Sequence, residues 1–339
     1  MFKGPVLEPS QLLPTDIIDA HVHVAGIGAK GSGCFISEDI SSSYKLDYYL
    51  QSFNVSREEL ESKGDQVVVQ KLATLLKQSK TVQAAVVLAL DGVVDDQGQL
   101  DLSQSEIYIP NDFVSRETSR FANLYFGASI NPYRNDALKR LDQVKQQGAK
   151  LIKWIPSIQN IDPADEKIIP FYQKMKKLGL PLLSHTGKER SFTKSKDDLA
   201  DPLRLELPLK LGVTVIAAHV ATTGSTQGQD NVERIMPLFD KYPNLYADVS
   251  TLTQINKLGY FDQILPDQRV KGRLIYGSDF PLINTLLVSP YFFPLNLTFQ
   301  EMNRIANIPN VWDRDVALKQ SLGMPADIFS ATRKLFNIN

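Results

Sequence analysis

The chain has 339 residues, with 37 Lys and Arg against 38 Asp and Glu and a net charge of −1. That balance excludes a broad electrostatic attraction to nucleic acid or anionic lipid, although a small charged substrate needs only a local field. The length allows a large core, and α/β barrels commonly reach it within one domain.

The opening segment, MFKGPVLEPSQLLPTD, is interrupted by Pro5 and Pro14 before any apolar core develops, so it carries no signal-peptide pattern. Cys34 is the single cysteine, which excludes an intramolecular disulfide and fits a reducing compartment. The longest apolar stretch, 84–90, is far too short to span a bilayer. A cytoplasmic protein with no membrane or nucleic-acid partner is the expectation.

Short runs rich in Val, Ile and Leu alternate with longer helix-compatible segments, the pattern of strands buried on both faces of a parallel sheet. In chain order the strand candidates are 17–24, 82–90, 124–132, 149–156, 181–187, 213–221, 245–251 and 273–281. Helices are expected at 135–147, with Leu138, Leu141 and Val144 on one face, and at 165–178, between Pro163 and Gly179. Segments 201–211, 230–241 and 256–265 complete the alternation. Eight such repeats predict a closed (β/α)8 barrel over about 16–282, within a single domain spanning 1–339. Residues 25–80 form an insertion after the first strand. Its part 65–79 reads as the first barrel helix, and the remainder as a lid or a structural cap. Residues 283–339 hold three helix-like segments that wrap the barrel.

All four histidines fall at predicted strand ends: His21 and His23, His185, and His219. Residues two apart on a strand share a side, so His21 and His23 aim together into the barrel mouth, and Asp19 shares their parity. A lone buried His is usually a hydrogen-bonded core residue, but that rim is where barrel active sites lie, and imidazole is a common zinc ligand. Asp279, in YGSDFP, faces the same mouth. It can bind a metal there and accept a proton from a water whose pKa the metal lowers to ~7. Lys153, in LIKWIP, is a costly buried cation unless paired or neutralised. It either holds an anionic substrate group or a neighbouring carboxylate, or is carboxylated and bridges two metals.

This pattern resembles the amidohydrolase superfamily. Asp19-Ala20-His21-Val22-His23 looks like its first-strand D-x-H-x-H signature. His185 in LLSHTG, His219 in AAHVA and Asp279 in YGSDFP match its fifth-, sixth- and eighth-strand positions. Residues 322–338, LGMPADIFSATRKLFNI, look like the closing helix of the amidohydrolase-2 branch, although that branch often has an Asn where SAT stands here. The resemblance implies that His21, His23, His185 and Asp279 ligate one divalent ion, zinc first with manganese as the other candidate. It implies that His219 either ligates a second ion, with carboxylated Lys153, or polarises the substrate. Asp19 would be structural or would support the ligands.

Three functions follow as alternatives. The first is hydrolysis of a C–N or C–O bond (an amide, lactone or ester) in a small molecule, with Asp279 relaying the proton. The second is non-oxidative decarboxylation of an aromatic or unsaturated carboxylic acid, where Lys153, Arg190 or Arg134 offers a cation. The third is a barrel that binds metal and ligand without turnover. Trp154 points away from the mouth and packs. Ser184 and Ser278 lack a nucleophile-elbow context. No phosphate-binding glycine motif is present, because GIGAKGSG has the glycines without the spacing. A homo-oligomer is expected, a dimer being the commonest.

Overall fold

A computed structural model describes residues 15–338 apart from 190 and 223. The opening segment 1–14, and Arg190, therefore lie outside the described residues. Each expected apolar run contributes one parallel strand: β1 (Ile17–His23), β2 (Val82–Leu88), β3 (Leu124–Gly127), β4 (Ile152–Trp154), β5 (Leu182–Ser184), β6 (Val215–Ala217), β7 (Leu245–Asp248) and β8 (Leu274–Ile275). They form two arcs, β1-β2-β3 and β4 through β8 in sequence order. Parallel bridges join the arcs at both seams, Ala128 to Ile152 and Val22 to Phe280. The backbone amide of Lys153 donates to Ala128 O at 2.6 Å, and that of His23 to Phe280 O at 2.8 Å. The result is the expected (β/α)8 barrel.

Alternate residues face opposite sides of each strand, and each side has its own core. Ile18, Ala84, Val86, Leu183, Ile216 and Ile275 fill the barrel, and Phe336 and Ile338 of the tail join that cluster. Ile17, Val82, Val87, Val215, Ala247 and Leu274 pack outward. Outside lie α1 (Gln66–Lys77), α2 (Asn111–Thr118), α3 (Ala137–Gln146), α4 (Ile169–Leu178), α5 (Glu206–Lys210), α6 (Asn231–Lys241) and α7 (Tyr260–Ile264). On α3 the buried face is Ala137, Leu141 and Val144, while Leu138 is 42% exposed. The expected Leu138-Leu141-Val144 face is corrected, since i, i+4, i+7 spacing puts Ala137 in line with the other two. Three other expected helices open with a 3-10 turn, at Glu166–Ile168, Pro202–Leu205 and Ile255–Lys257. α4 ends where Gly179 takes a left-handed conformation (φ 61°).

α1 is the barrel helix expected within the insertion. The rest of the insertion adds short helices Glu38–Ser41, Tyr44–Ser52 and Arg57–Lys63. Its glycine-rich start is organised by Asp65, which accepts from the amides of Ile27 (3.0 Å) and Gly28 (2.9 Å) and from Ser32 Oγ (2.5 Å). A Cβ on Gly26 would stand 2.6 Å from Cys34 Sγ, so that glycine serves close packing and not phosphate binding. The C-terminal segments are α8 (Phe299–Ala306), α9 (Val311–Ser321) and α10 (Ala326–Leu335). Among the described residues no helix is long and apolar enough to cross a membrane.

Candidate metal centre and its cavity

The residues singled out by sequence converge at the C-terminal ends of the strands. His21 Nε2 lies 3.1 Å from His23 Nε2 and 3.4 Å from Asp279 Oδ1, and His23 Nε2 lies 3.1 Å from Asp279 Oδ1. These edges match the ~3.3 Å between donors of a tetrahedral ion with bonds of ~2.0–2.1 Å. Lys153 Nζ reaches His21 Nε2 at 3.0 Å. The His219 ring stacks on His21 at 5.3 Å and meets His185 edge-on at 5.2 Å. His185 Nε2 is buried without a hydrogen-bond partner. Such an atom is the exception in a folded protein, and it suits a metal ligand. The residues present therefore fit a divalent ion.

Asp248, at the end of β7, governs this set and was missed from sequence. His21 Nδ1 lies 2.9 Å from Asp248 Oδ2. Asp248 Oδ1 accepts from the His219 amide at 3.0 Å and from the Ser250 hydroxyl. Ser250 Oγ in turn lies 2.7 Å from His219 Nδ1. An ionised carboxylate only accepts, so His21 Nδ1 carries a proton. Ser250 gives its one proton to Asp248, so its oxygen accepts from His219 Nδ1. Both imidazoles then present Nε2 lone pairs to the cavity, the form a ligand or base requires. Asp248 also falls in a possible metal-binding trio with His21 and His219. It occupies the nitrogen of His21 that faces away from His23 and Asp279, so the geometry favours an orienting carboxylate. A charged residue ending an otherwise apolar strand was the available signal.

Electrostatics keep the donors in ligating forms. Burial, and after it the Lys153 ammonium, lowers His21 to about 4. Burial and then Lys257 lower His219 well below the usual histidine range. Burial alone would raise Asp279, but His21, His23 and His219 outweigh it and hold the carboxyl well below its ordinary value. Burial lowers Lys153 to about 8 against the pull of Asp279 and Asp248. The backbone is left-handed at His219 (φ 59°), Val220 (φ 51°) and Asp279 (φ 58°). Strain of this kind at β-branched and other non-glycine residues concentrates at functional sites.

Asp19 departs from expectation. A register shift inserts an extra residue of β1 between Asp19 and Val22 relative to β2. Asp19 therefore loses the shared parity and faces outward, where it accepts from the amides of His21 (3.0 Å) and Ser278 (2.9 Å) and from Trp312 Nε1 (2.8 Å). It positions the backbone at both ends of the donor set, and burial pushes it up to about 6. Ser278 serves the same anchor through its hydroxyl. Arg134 is also corrected: it is buried against Asp91, with Nε 2.7 Å from Oδ2, and does not line the cavity. Trp154 packs outward on Phe171 as expected.

The donors sit in a cavity of about 260 Å³. Its walls include Leu46, Leu50 and Phe53 of the insertion and Ile107, Ile109 and Phe192 of the barrel loops. The insertion therefore roofs the site. Polar wall residues that sequence reading passed over include Tyr49, Lys188, Glu189 and Lys257. Glu189 Oε2 lies 3.6 Å from His185 Nε2, and Lys257 donates to Thr251 Oγ1, itself 3.2 Å from His219 Nδ1.

The amidohydrolase family model (Amidohydro_2) matches residues 18–305, and the chain belongs to this family of enzymes. No curated relative matches it in sequence. Solved structures share the fold. A protein of Pseudomonas putida assigned as a 2-pyrone-4,6-dicarboxylic acid hydrolase has a TM-score of 0.53 at 14% identity, covering 96% of this chain and 98% of that one. IDCase of Metarhizium anisopliae has a TM-score of 0.53 at 11% identity, covering 95% and 97%. A manganese-bound 5-carboxyvanillate decarboxylase of Novosphingobium aromaticivorans has a TM-score of 0.50 at 10% identity, covering 96% and 97%.

Proposed function

We propose that the protein is a metal-dependent hydrolase that opens a C–N or C–O bond, as in an amide, lactone or ester, of a small and largely apolar substrate. The triangle of His21 Nε2, His23 Nε2 and Asp279 Oδ1 inside a roofed apolar cavity carries this reading. His21, His23, His185 and Asp279 would hold one divalent ion, zinc first and manganese second. His219 and Lys153 would join only around a second ion. Such an ion supplies Lewis acidity toward a carbonyl oxygen and lowers the pKa of an adjacent water to ~7. Asp279 Oδ2, 3.8 Å from His219 Nε2, takes up a proton and returns it to the leaving group. His219, with Nδ1–H committed to Ser250, offers a lone pair at Nε2 and accepts at that atom. The apolar side chains of the roof lower the polarity around the donors and strengthen these interactions. Asp279→Asn with its metal retained should lose turnover by ~10²-fold or more; full turnover would overturn the role given to Asp279.

A second reading, decarboxylation of an aromatic or unsaturated acid, is supported by the buried Lys153 and Lys257 lining the same cavity, which favour an anionic group. Carbon dioxide release from such acids, with no hydrolysis of amides or lactones, would decide for it.

A further inference from the structure

Trp312, Asp315 and Lys319 stand at i, i+3 and i+7 on α9, so they share one face of the helix, and all three are buried. The Lys319 ammonium is wholly enclosed. It donates to Asp315 Oδ2 at 2.7 Å and to the Gly277 carbonyl at 3.2 Å, and it lies 5.0 Å from the centre of the Tyr276 ring. Tyr276 Oη donates to the same Asp315 oxygen at 2.7 Å. The other oxygen, Oδ1, is buried and has no hydrogen-bond partner among the described residues. A buried ion pair is a weak source of stability, because desolvation offsets its attraction, and here one carboxylate oxygen goes unsatisfied as well. Stability therefore does not account for a charge at this place, whereas its grip on Gly277 does.

Gly277 lies two residues before Asp279. With no side chain, it lets the backbone after β8 press against His21 and the carboxylate that orients it. A Cβ there would stand 3.1 Å from His21 Cβ and 3.3 Å from Asp248 Cβ. The next two residues are tied to β1. The Ser278 amide donates to Asp19 Oδ1 at 2.9 Å, and the Asp279 amide to the His21 carbonyl at 2.9 Å. Lys319 adds a tie from α9. We propose that Lys319 is a positioning residue for the metal centre: it holds the Gly277 carbonyl and so sets where Asp279 stands against His21 and His23. This rests on the metal-dependent reading given above. Without that hold the chain after β8 relaxes away from His21 and Asp248, and donor edges of 3.1 and 3.4 Å leave little room for displacement around one ion.

Zinc affinity of the full chain, measured against a competing chelator, tests this without a substrate. Lys319→Met alone would strand the Asp315 charge, so Asp315→Asn accompanies it. The double variant should keep the wild-type fold by circular dichroism and bind zinc ~10-fold or more weakly. Its cobalt-loaded form should show a shifted visible absorption, which reports the geometry of the donors. Leu141→Ala, in the core of α3, destabilises without touching β8 and should leave zinc affinity and the cobalt spectrum unchanged. Gly277→Ala is a separate probe should the double variant fold poorly. Its Cβ forces the same stretch of backbone away from His21, and zinc affinity should fall by a similar factor. Wild-type affinity and spectrum in the folded double variant, or in Gly277→Ala, overturn the role of Lys319 and leave the metal site standing. Equal losses in Leu141→Ala overturn it too, by making the effect one of general stability. A wild type that binds no zinc, manganese or cobalt overturns the metal-dependent reading itself, and the proposal with it.

Discussion

His21 Nδ1 and Asp248 Oδ2 stand 2.9 Å apart, 227 residues apart in sequence, and neither side chain reaches water. This bond decides which nitrogen of His21 faces Asp279. In Asp248→Asn, the oxygen of the amide is needed by the His219 amide and Ser250, so its NH2 meets His21 Nδ1 and drives the proton to Nε2. Affinity for zinc or manganese, measured against a competing chelator, should fall by ~10–100-fold with the fold intact. An unchanged affinity would remove Asp248 from the ligand-orienting role.

Lys153 is buried against His21 with its pKa lowered to about 8, and nothing in its setting requires carboxylation. Elemental analysis of protein produced with bicarbonate should find one ion per chain. Lys153→Met should keep it. Two ions in the wild type falling to one in the variant would instead establish a carboxylated lysine bridging two metals.

Trp312 on α9 ties the C-terminal helices to the donor set. Its ring stacks on Phe280 at 4.8 Å while Nε1 donates to Asp19 Oδ2. Trp312→Phe retains an aromatic ring but leaves a fully buried carboxyl short of a donor, which should cost about 1–3 kcal/mol. Urea denaturation reads this directly, and an unmoved midpoint with the same slope would refute it.

Glu206 shapes the acid limb of stability. Hydrogen bonds from Lys241 Nζ (2.5 Å) and Tyr242 Oη (2.8 Å) lower its carboxyl from 4.5 to about 2. A folded-state pKa below the unfolded one stabilises above pH 4.5 and loses that contribution as pH falls toward 2. Glu206→Gln should flatten the fall in melting temperature across that window. The difference should be small and should shrink with added salt, because the pair is solvent-screened. Parallel acid profiles for the two proteins would count against it.

Local pattern alone located the eight strands, because buried parallel strands read as apolar runs and their spacing survives any error at their ends. It also located His21, His23, His185, His219, Lys153 and Asp279, because strand ends of one barrel share one mouth. Only the tertiary structure could assign what lies across strands. Asp19 left the parity of its neighbours because β1 carries an extra residue against β2. Leu138 turned to solvent because Ala137 completed the buried stripe of α3. Arg134 was taken from the substrate by Asp91, and Asp248 was brought to His21 from β7. Periodicity reports which face a side chain takes along one element, whereas the proton position on an imidazole depends on the acceptor that another element places against it.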